Sequence, residues 1–155
     1  MTDTLVRLTE VSRTYKRGKI AVDVLRDLDL TIDKGDFLAL TGPSGSGKTT
    51  LLNLIGGIDR PSAGAIEIGG VTIGDLSEHE LAAWRARHIG FVFQFYNLLP
   101  ILSARRNVEL PLLLTNLSGA QRKHRADVAL EIVGLTSRAD HKPAELSGGQ
   151  QQRET

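Results

Sequence analysis

The sequence predicts an α/β fold, with a strand-rich core over residues 1–94 and a helical subdomain over residues 95–155. Three observations predict it. Apolar alternation at a period of two dominates before residue 95, and helix starts and caps dominate after it. A short apolar run, Phe37-Leu38-Ala39-Leu40, leads into a glycine-rich loop and then a helix-compatible stretch. The length, 155 residues, is that of one domain able to bury a core.

The elements follow in order. Leu5 to Val11 alternates loosely and reads as a strand. Residues Ile20 to Ile32 hold two strand-like stretches, with Val22, Val24, Leu28, Leu30 and Ile32 at a period of two. Lys34-Gly35-Asp36 is a turn signal. Phe37–Leu40 suits a strand buried on both faces. A helix is expected over Lys48 to Ile55, a turn at Pro61–Gly64, and a hairpin over Ala65–Gly74 around Gly69-Gly70. Ser77 and Glu80 form a capping box that opens a helix to about Arg87. Ile89 to Phe93 reads as a second buried strand ending at Gln94. A helix over Ala104–Leu114 is kinked or divided by Pro111. Another runs from the Ser118/Gln121 box to Val133, with Gly134 as its C-terminal cap.

Composition removes several classes of function. Lys and Arg total 19 and Asp and Glu 18, a net charge of +1, so no broad electrostatic footprint for nucleic acid exists. The chain has no cysteine, which excludes disulfides, iron–sulfur clusters and thiolate zinc sites. No apolar run approaches the ~18 residues that span a bilayer. The start, MTDTLVRLTEV, does not read as a signal peptide. A cytoplasmic protein is expected, reaching the membrane only through a partner. His79, His88, His124 and His141 lack metal-ligand spacing. Arg105, Arg106, Arg122, Lys123 and Arg125 read as a solvated helix face, and Trp84 as packing.

Residues 42–49, GPSGSGKT, satisfy G-x-x-x-x-G-K-[ST]. Gly42, Gly45 and Gly47 let the backbone wrap closely, so that successive N–H groups face one concavity. The helix starting near Lys48 adds the positive end of its dipole. Lys48 supplies a mobile positive charge for the outer phosphates, and the Thr49 hydroxyl is a ligand of the type Mg2+ takes. This pattern points to a nucleoside triphosphate. Residues 146–153, LSGGQQQR, place Ser147, Gly148 and Gly149 before a helix start, a second position suited to an anion.

Together these motifs resemble the ATP-binding subunits of ABC transporters over essentially the whole chain. GPSGSGKTT at 42–50 resembles the Walker A motif, Gln94 within FVFQ the Q-loop glutamine, and LSGGQ at 146–150 the ABC signature. GGIDRPSAG at 56–64 resembles the segment after the Walker A helix. FVFQFYNLLPILSARRNVELPLLL is closest to the lipoprotein-release and macrolide-efflux branch. DNA-repair and chromosome-structure ATPases share the signature but carry long coiled-coil insertions, and none lies between Lys48 and Ser147.

The resemblance implies a P-loop NTPase core with an antiparallel β subdomain and an inserted helical subdomain. It implies ATP and Mg2+ as cofactors, with Gly42, Ser44, Gly45, Ser46, Gly47, Lys48, Thr49 and Thr50 around the phosphates. Tyr15 would stack on adenine. Thr49 and Gln94 would hold the metal, and Lys48 and Gln94 would serve catalysis. The implied partners are an ABC transporter membrane subunit and a second ATP-binding subunit, associated head to tail. Ser147, Gly148, Gly149 and Gln150 would then reach the γ-phosphate of the other subunit. The resemblance continues beyond Thr155 into Walker B and a switch histidine, so an incomplete C-terminus is expected. An alternative follows: a remnant that binds ATP without hydrolysing it.

Overall fold

The computed structural model describes residues 3–18, 20–93 and 95–154. Two compact units divide the chain, Met1–Gly90 and Phe91–Thr155.

In the first unit, β1 (Thr4–Arg17), β2 (Ile20–Asp33), β3 (Ala63–Ile68) and β4 (Val71–Thr72) form one antiparallel sheet in the order β2-β1-β3-β4. The expected hairpin at Gly69-Gly70 is present as β3-β4. β1 and β2 are longer than the apolar alternation alone marks out, because each continues to hydrogen-bond the other beyond the core. Val6, Leu8 and Val11 all point into the core. The step from Leu8 to Val11 breaks the period of two, and the ladder shifts register there. The bulge turns Glu10 outward and brings Val11 to full burial. Side chains replace the interrupted ladder: the Glu10 amide donates to Asp29 Oδ1 at 2.8 Å, and the Asp27 amide donates to Ser12 Oγ at 2.8 Å. Gly64, at φ +82°, passes so close that a Cβ would lie 2.3 Å from the Glu10 carbonyl oxygen. No other residue fits there.

α1 (Lys48–Ile55) lays Leu51 and Leu54 on this sheet, and α2 (Glu78–His88) adds Leu81 and Trp84 to the same core. The α2 capping box is present as the sequence predicts, with Ser77 accepting from the Glu80 amide. Arg60 ties the loop after α1 to the start of α2, donating to the Gly74 and Leu76 carbonyls and to Glu78.

The second unit holds α3 (Ala104–Glu109), α4 (Gly119–Ile132) and α5 (Gly148–Glu154) around Ala104, Leu130, Leu135, Ala139 and Leu146. Pro111 divides the expected helix, so α3 continues as a 3-10 turn over Leu110–Leu114. Asn107 is buried and pins the preceding loop: its Oδ1 accepts from the Leu99 amide at 2.8 Å, and its Nδ2 donates to the Leu99 carbonyl.

Two readings are corrected here. Phe37–Leu40 and Ile89–Phe93 carry no strand among the described residues. An apolar run makes a segment compatible with a buried strand, but a strand exists only where a neighbour completes its ladder. Neither segment pairs with another strand among the described residues, and Phe37 is 99% exposed. The basic cluster is not simply a solvated face. Arg105 bonds Asp127 on α4 at 2.6 Å and also Asp140, joining α3, α4 and the following loop. Arg106 pairs with Glu109, and Arg122 donates to the Leu117 carbonyl. Lys123 and Arg125 are exposed as expected.

Glu154 is buried beside Asn107, and neither carboxylate oxygen has a hydrogen-bond partner. Burial pushes its carboxyl above the usual carboxylate range, opposed only in part by Asn107. A carboxyl raised on folding favours the protonated state. Its contribution is therefore complete below the unfolded value of about 4.3 and is lost as pH rises through the folded value. Glu154→Leu is expected to stabilise the chain by about 1–3 kcal/mol at pH 8 and by much less at pH 4. Urea unfolding at the two pH values checks this; an equal gain at both would refute it.

Candidate functional site

The phosphate loop runs from Gly42 into the first turn of α1, which begins at Lys48 as the sequence predicts. Gly47, the N-cap, sits at φ +87°. A Cβ there would lie 2.9 Å from Leu25 Cδ2 and 3.2 Å from the Val24 carbonyl oxygen. The loop is thus pressed against β2, where the pairing of Arg13 with Leu25 and of Thr14 with Asp23 leaves Val24 as the extra residue of a bulge. Val24 and residues 44–50 enclose an open pocket of about 430 Å3.

The loop has few internal bonds. The Ser46 amide donates to the Pro43 carbonyl at 3.3 Å, while the amides of Gly45, Gly47, Lys48 and Thr49 meet no backbone acceptor among the described residues. Amides left free at a helix start form an anion site. The Lys48 ammonium donates to the Gly42 carbonyl at 2.9 Å, the Pro43 carbonyl at 2.7 Å and Ser46 Oγ at 3.2 Å. These contacts occupy all three of its donors and fold the charge over the loop. A phosphate oxygen is a stronger acceptor for it than a neutral carbonyl. The Thr49 hydroxyl is exposed and makes no protein hydrogen bond among the described residues. Free amides, an ammonium held only by neutral acceptors and an open hydroxyl fit a nucleoside triphosphate with Mg2+.

Tyr15 lies on β1 opposite Val22 of β2. Its hydroxyl donates to Asp59 Oδ2 at 2.7 Å, and the Arg13 guanidinium lies 4.5 Å from the ring centroid. Gln94 lies outside the described residues.

Ser147 to Gln150 belong to the second unit. α5 begins at Gly148, so both glycines stand in its first turn. Ser147 and Gln150 cap each other: the Ser147 amide donates to Gln150 Oε1 at 2.9 Å, and the Gln150 amide donates to Ser147 Oγ at 3.4 Å. A Cβ at Gly148 would come within 3.0 Å of the Tyr96 hydroxyl. His79, His88 and His124 are exposed, and the described residues hold no cluster fit for a metal.

Residues 25–155 match the ABC transporter family. The chain belongs to that family. It is 48% identical over 149 residues to the uncharacterized ABC transporter ATP-binding protein YknY of Bacillus subtilis (strain 168), covering 96% of this chain and 65% of YknY. It is 48% identical over 153 residues to the macrolide export ATP-binding/permease protein MacB of Burkholderia pseudomallei (strain 1710b), covering 99% of this chain and 23% of MacB. Among solved structures, the dimeric ATP-binding cassette MJ0796, in a post-hydrolysis state bound to ADP and Pi, superposes with a TM-score of 0.81 at 45% identity. That match covers 97% of this chain and 66% of the cassette. The fold is that of the ABC ATPase cassettes.

Three residues of this ABC chain come to the site without a sequence signal that assigns them there. Val24 reaches the pocket through a bulge that periodicity does not reveal. Arg13 and Asp59 meet at Tyr15 from positions 46 residues apart. Only Asp59 lies in a segment noted for its resemblance.

Gly47→Ala is expected to cost about 1–3 kcal/mol, because alanine is strained at this φ and its methyl meets β2. The shift of the urea midpoint measures it; an unchanged midpoint would show that the loop is not pressed against the strand.

Proposed function

We propose that this chain binds ATP at residues 42–50 and serves as the ATP-binding subunit of an exporter whose membrane partner selects the cargo. The free amides of the loop, converging with Lys48 and Thr49, carry this reading. Gly42, Ser44, Gly45, Ser46 and Gly47 present the backbone, Lys48 neutralises the outer phosphates, and Thr50 extends the first turn beneath them. Mg2+, held by Thr49 and Gln94, would supply charge neutralisation on the phosphoryl oxygens. Tyr15 stacks on the base. Assignment to the macrolide-export and lipoprotein-release branch is supported by the identity to MacB.

The two units act as the nucleotide-binding core and the signature-bearing subdomain of one ATPase domain. The signature residues, Ser147, Gly148, Gly149 and Gln150, serve the nucleotide of a second subunit in a head-to-tail pair. The dimeric cassettes of related sequence support that arrangement. Among the described residues no helix is long and apolar enough to cross a membrane. The subunit is proposed to meet the membrane at its cytoplasmic face through a permease partner, a reading supported by the ATP-binding/permease relatives.

A second reading concerns turnover. No carboxylate lines the loop pocket among the described residues. Phosphoryl transfer to water needs a group that positions the nucleophile. We therefore propose that the 155-residue chain binds ATP with negligible hydrolysis.

Lys48→Ala is expected to weaken Mg-ATP binding by roughly 10–100-fold, the worth of a charge-assisted hydrogen bond. Titration calorimetry on both proteins decides this, and equal affinities would overturn the assignment. Steady-state turnover near 1 s⁻¹ that disappears in Lys48→Ala would overturn the second reading alone.

A further inference from the structure

We infer that Asp59 and Arg13 are positioning residues for Tyr15, fixing its ring as the base-stacking surface of the nucleotide site. The inference rests on the reading of residues 42–50 as an ATP site.

Three residues close on one another. Asp59 stands in the turn after α1, where its amide donates to the Asn53 carbonyl. Its carboxylate divides its two oxygens. Oδ1 accepts from Arg13 Nη2 at 2.7 Å and from the Arg60 amide at 2.8 Å, while Oδ2 accepts from the Tyr15 hydroxyl at 2.7 Å. Arg13 then covers one face of the Tyr15 ring. The Arg13 and Asp59 side chains are only 21% and 22% exposed, so the pair is partly shielded from water. Arg13 Nε is buried with no partner. Its guanidinium therefore sits where the carboxylate and the ring hold it, not where its own donors are best satisfied.

A tyrosine on an edge-reaching hairpin can turn about χ1 and tip about χ2. Here the tip is tethered to Asp59 and one face is occupied, so the ring has one orientation. The residue remains 38% exposed, which leaves room for a planar ligand on the other face. The placement suits a base rather than a phosphate. Tyr15 pairs with Val22, and Val24, which lines the loop pocket, is two residues further along β2. Two strand residues span about 7 Å, a gap for a sugar to bridge between base and phosphates. A stacked base contributes through ring orientation as well as contact area. Loosening the ring thus weakens the base term and leaves the phosphate term alone.

The test compares ATP with inorganic tripolyphosphate, each with Mg2+, by titration calorimetry on the wild type, Asp59→Ala and Tyr15→Phe. The expected result is ATP binding weakened about 3–10-fold in Asp59→Ala and about 2–5-fold in Tyr15→Phe, with tripolyphosphate within twofold of wild type. Unchanged ATP affinity in both variants overturns the inference. Equal losses for the two ligands also overturn it, since they mark a structural role. Should Asp59→Ala fail to fold, Tyr15→Phe, which keeps the ring and removes only the tether, decides the matter. A wild type that binds neither ligand refutes the nucleotide site itself, a separate outcome from intact binding without a base-specific loss.

Discussion

The loop at residues 42–49 leaves backbone amides without acceptors, and the first unit is organised around holding it so. Free donors pointing at one place repel each other and would relax into turns if the backbone could move. Two restraints prevent this. Gly47 is pressed on the bulged part of β2, and α1, which the loop opens, is fastened by Leu51 and Leu54 to the sheet. The bulge at Thr9–Glu10, with Gly64 packed against it, keeps Val11 inside and so preserves the surface on which α1 lies. Lys48 supplies the remaining compensation by folding its charge onto the loop carbonyls. The stability of the core and the readiness of the site are one problem solved by the same residues.

The second unit uses electrostatics where its small core cannot suffice. Arg105 connects three segments through two aspartates, and those hydrogen bonds hold its guanidinium still more firmly protonated. Asn107 satisfies a loop that would otherwise bury bare backbone groups. Glu154 is the exception: a buried carboxylate beside Asn107 whose oxygens make no hydrogen bond. It lies on the same helix whose first turn Ser147 and Gln150 cap.

Local chemistry was the most legible part of the sequence. The capping boxes at Ser77/Glu80 and Ser118/Gln121, the Gly69-Gly70 turn and the helix after the phosphate loop depend on residues within four positions of one another, and the structure has them. The glycine-rich turn that opens α1 belongs to this class, since its spacing is itself the local geometry. Long-range pairing was not legible. Phe37–Leu40 and Ile89–Phe93 have the pattern of buried strands, but pattern does not supply a neighbour. The Arg105 ties were hidden because charge runs look alike whether solvated or paired. Val24 at the pocket and Asp59 at Tyr15 were hidden for the same reason: bulges and chain reversals bring them there, and neither leaves a periodic trace.

The Phe37–Leu40 segment, which joins no ladder among the described residues, bears on how this stretch of chain behaves in company. Bare amide and carbonyl groups flanked by an exposed phenylalanine form a template onto which another extended chain can add. Two copies carrying a net charge of only +1 each have almost no repulsion to keep them apart. This stretch adds to other apolar side chains that stand in solvent, Val92, Phe95, Ile101 and Leu114 among them. High concentration would favour adhesion through this stretch, immediately upstream of residues 42–49.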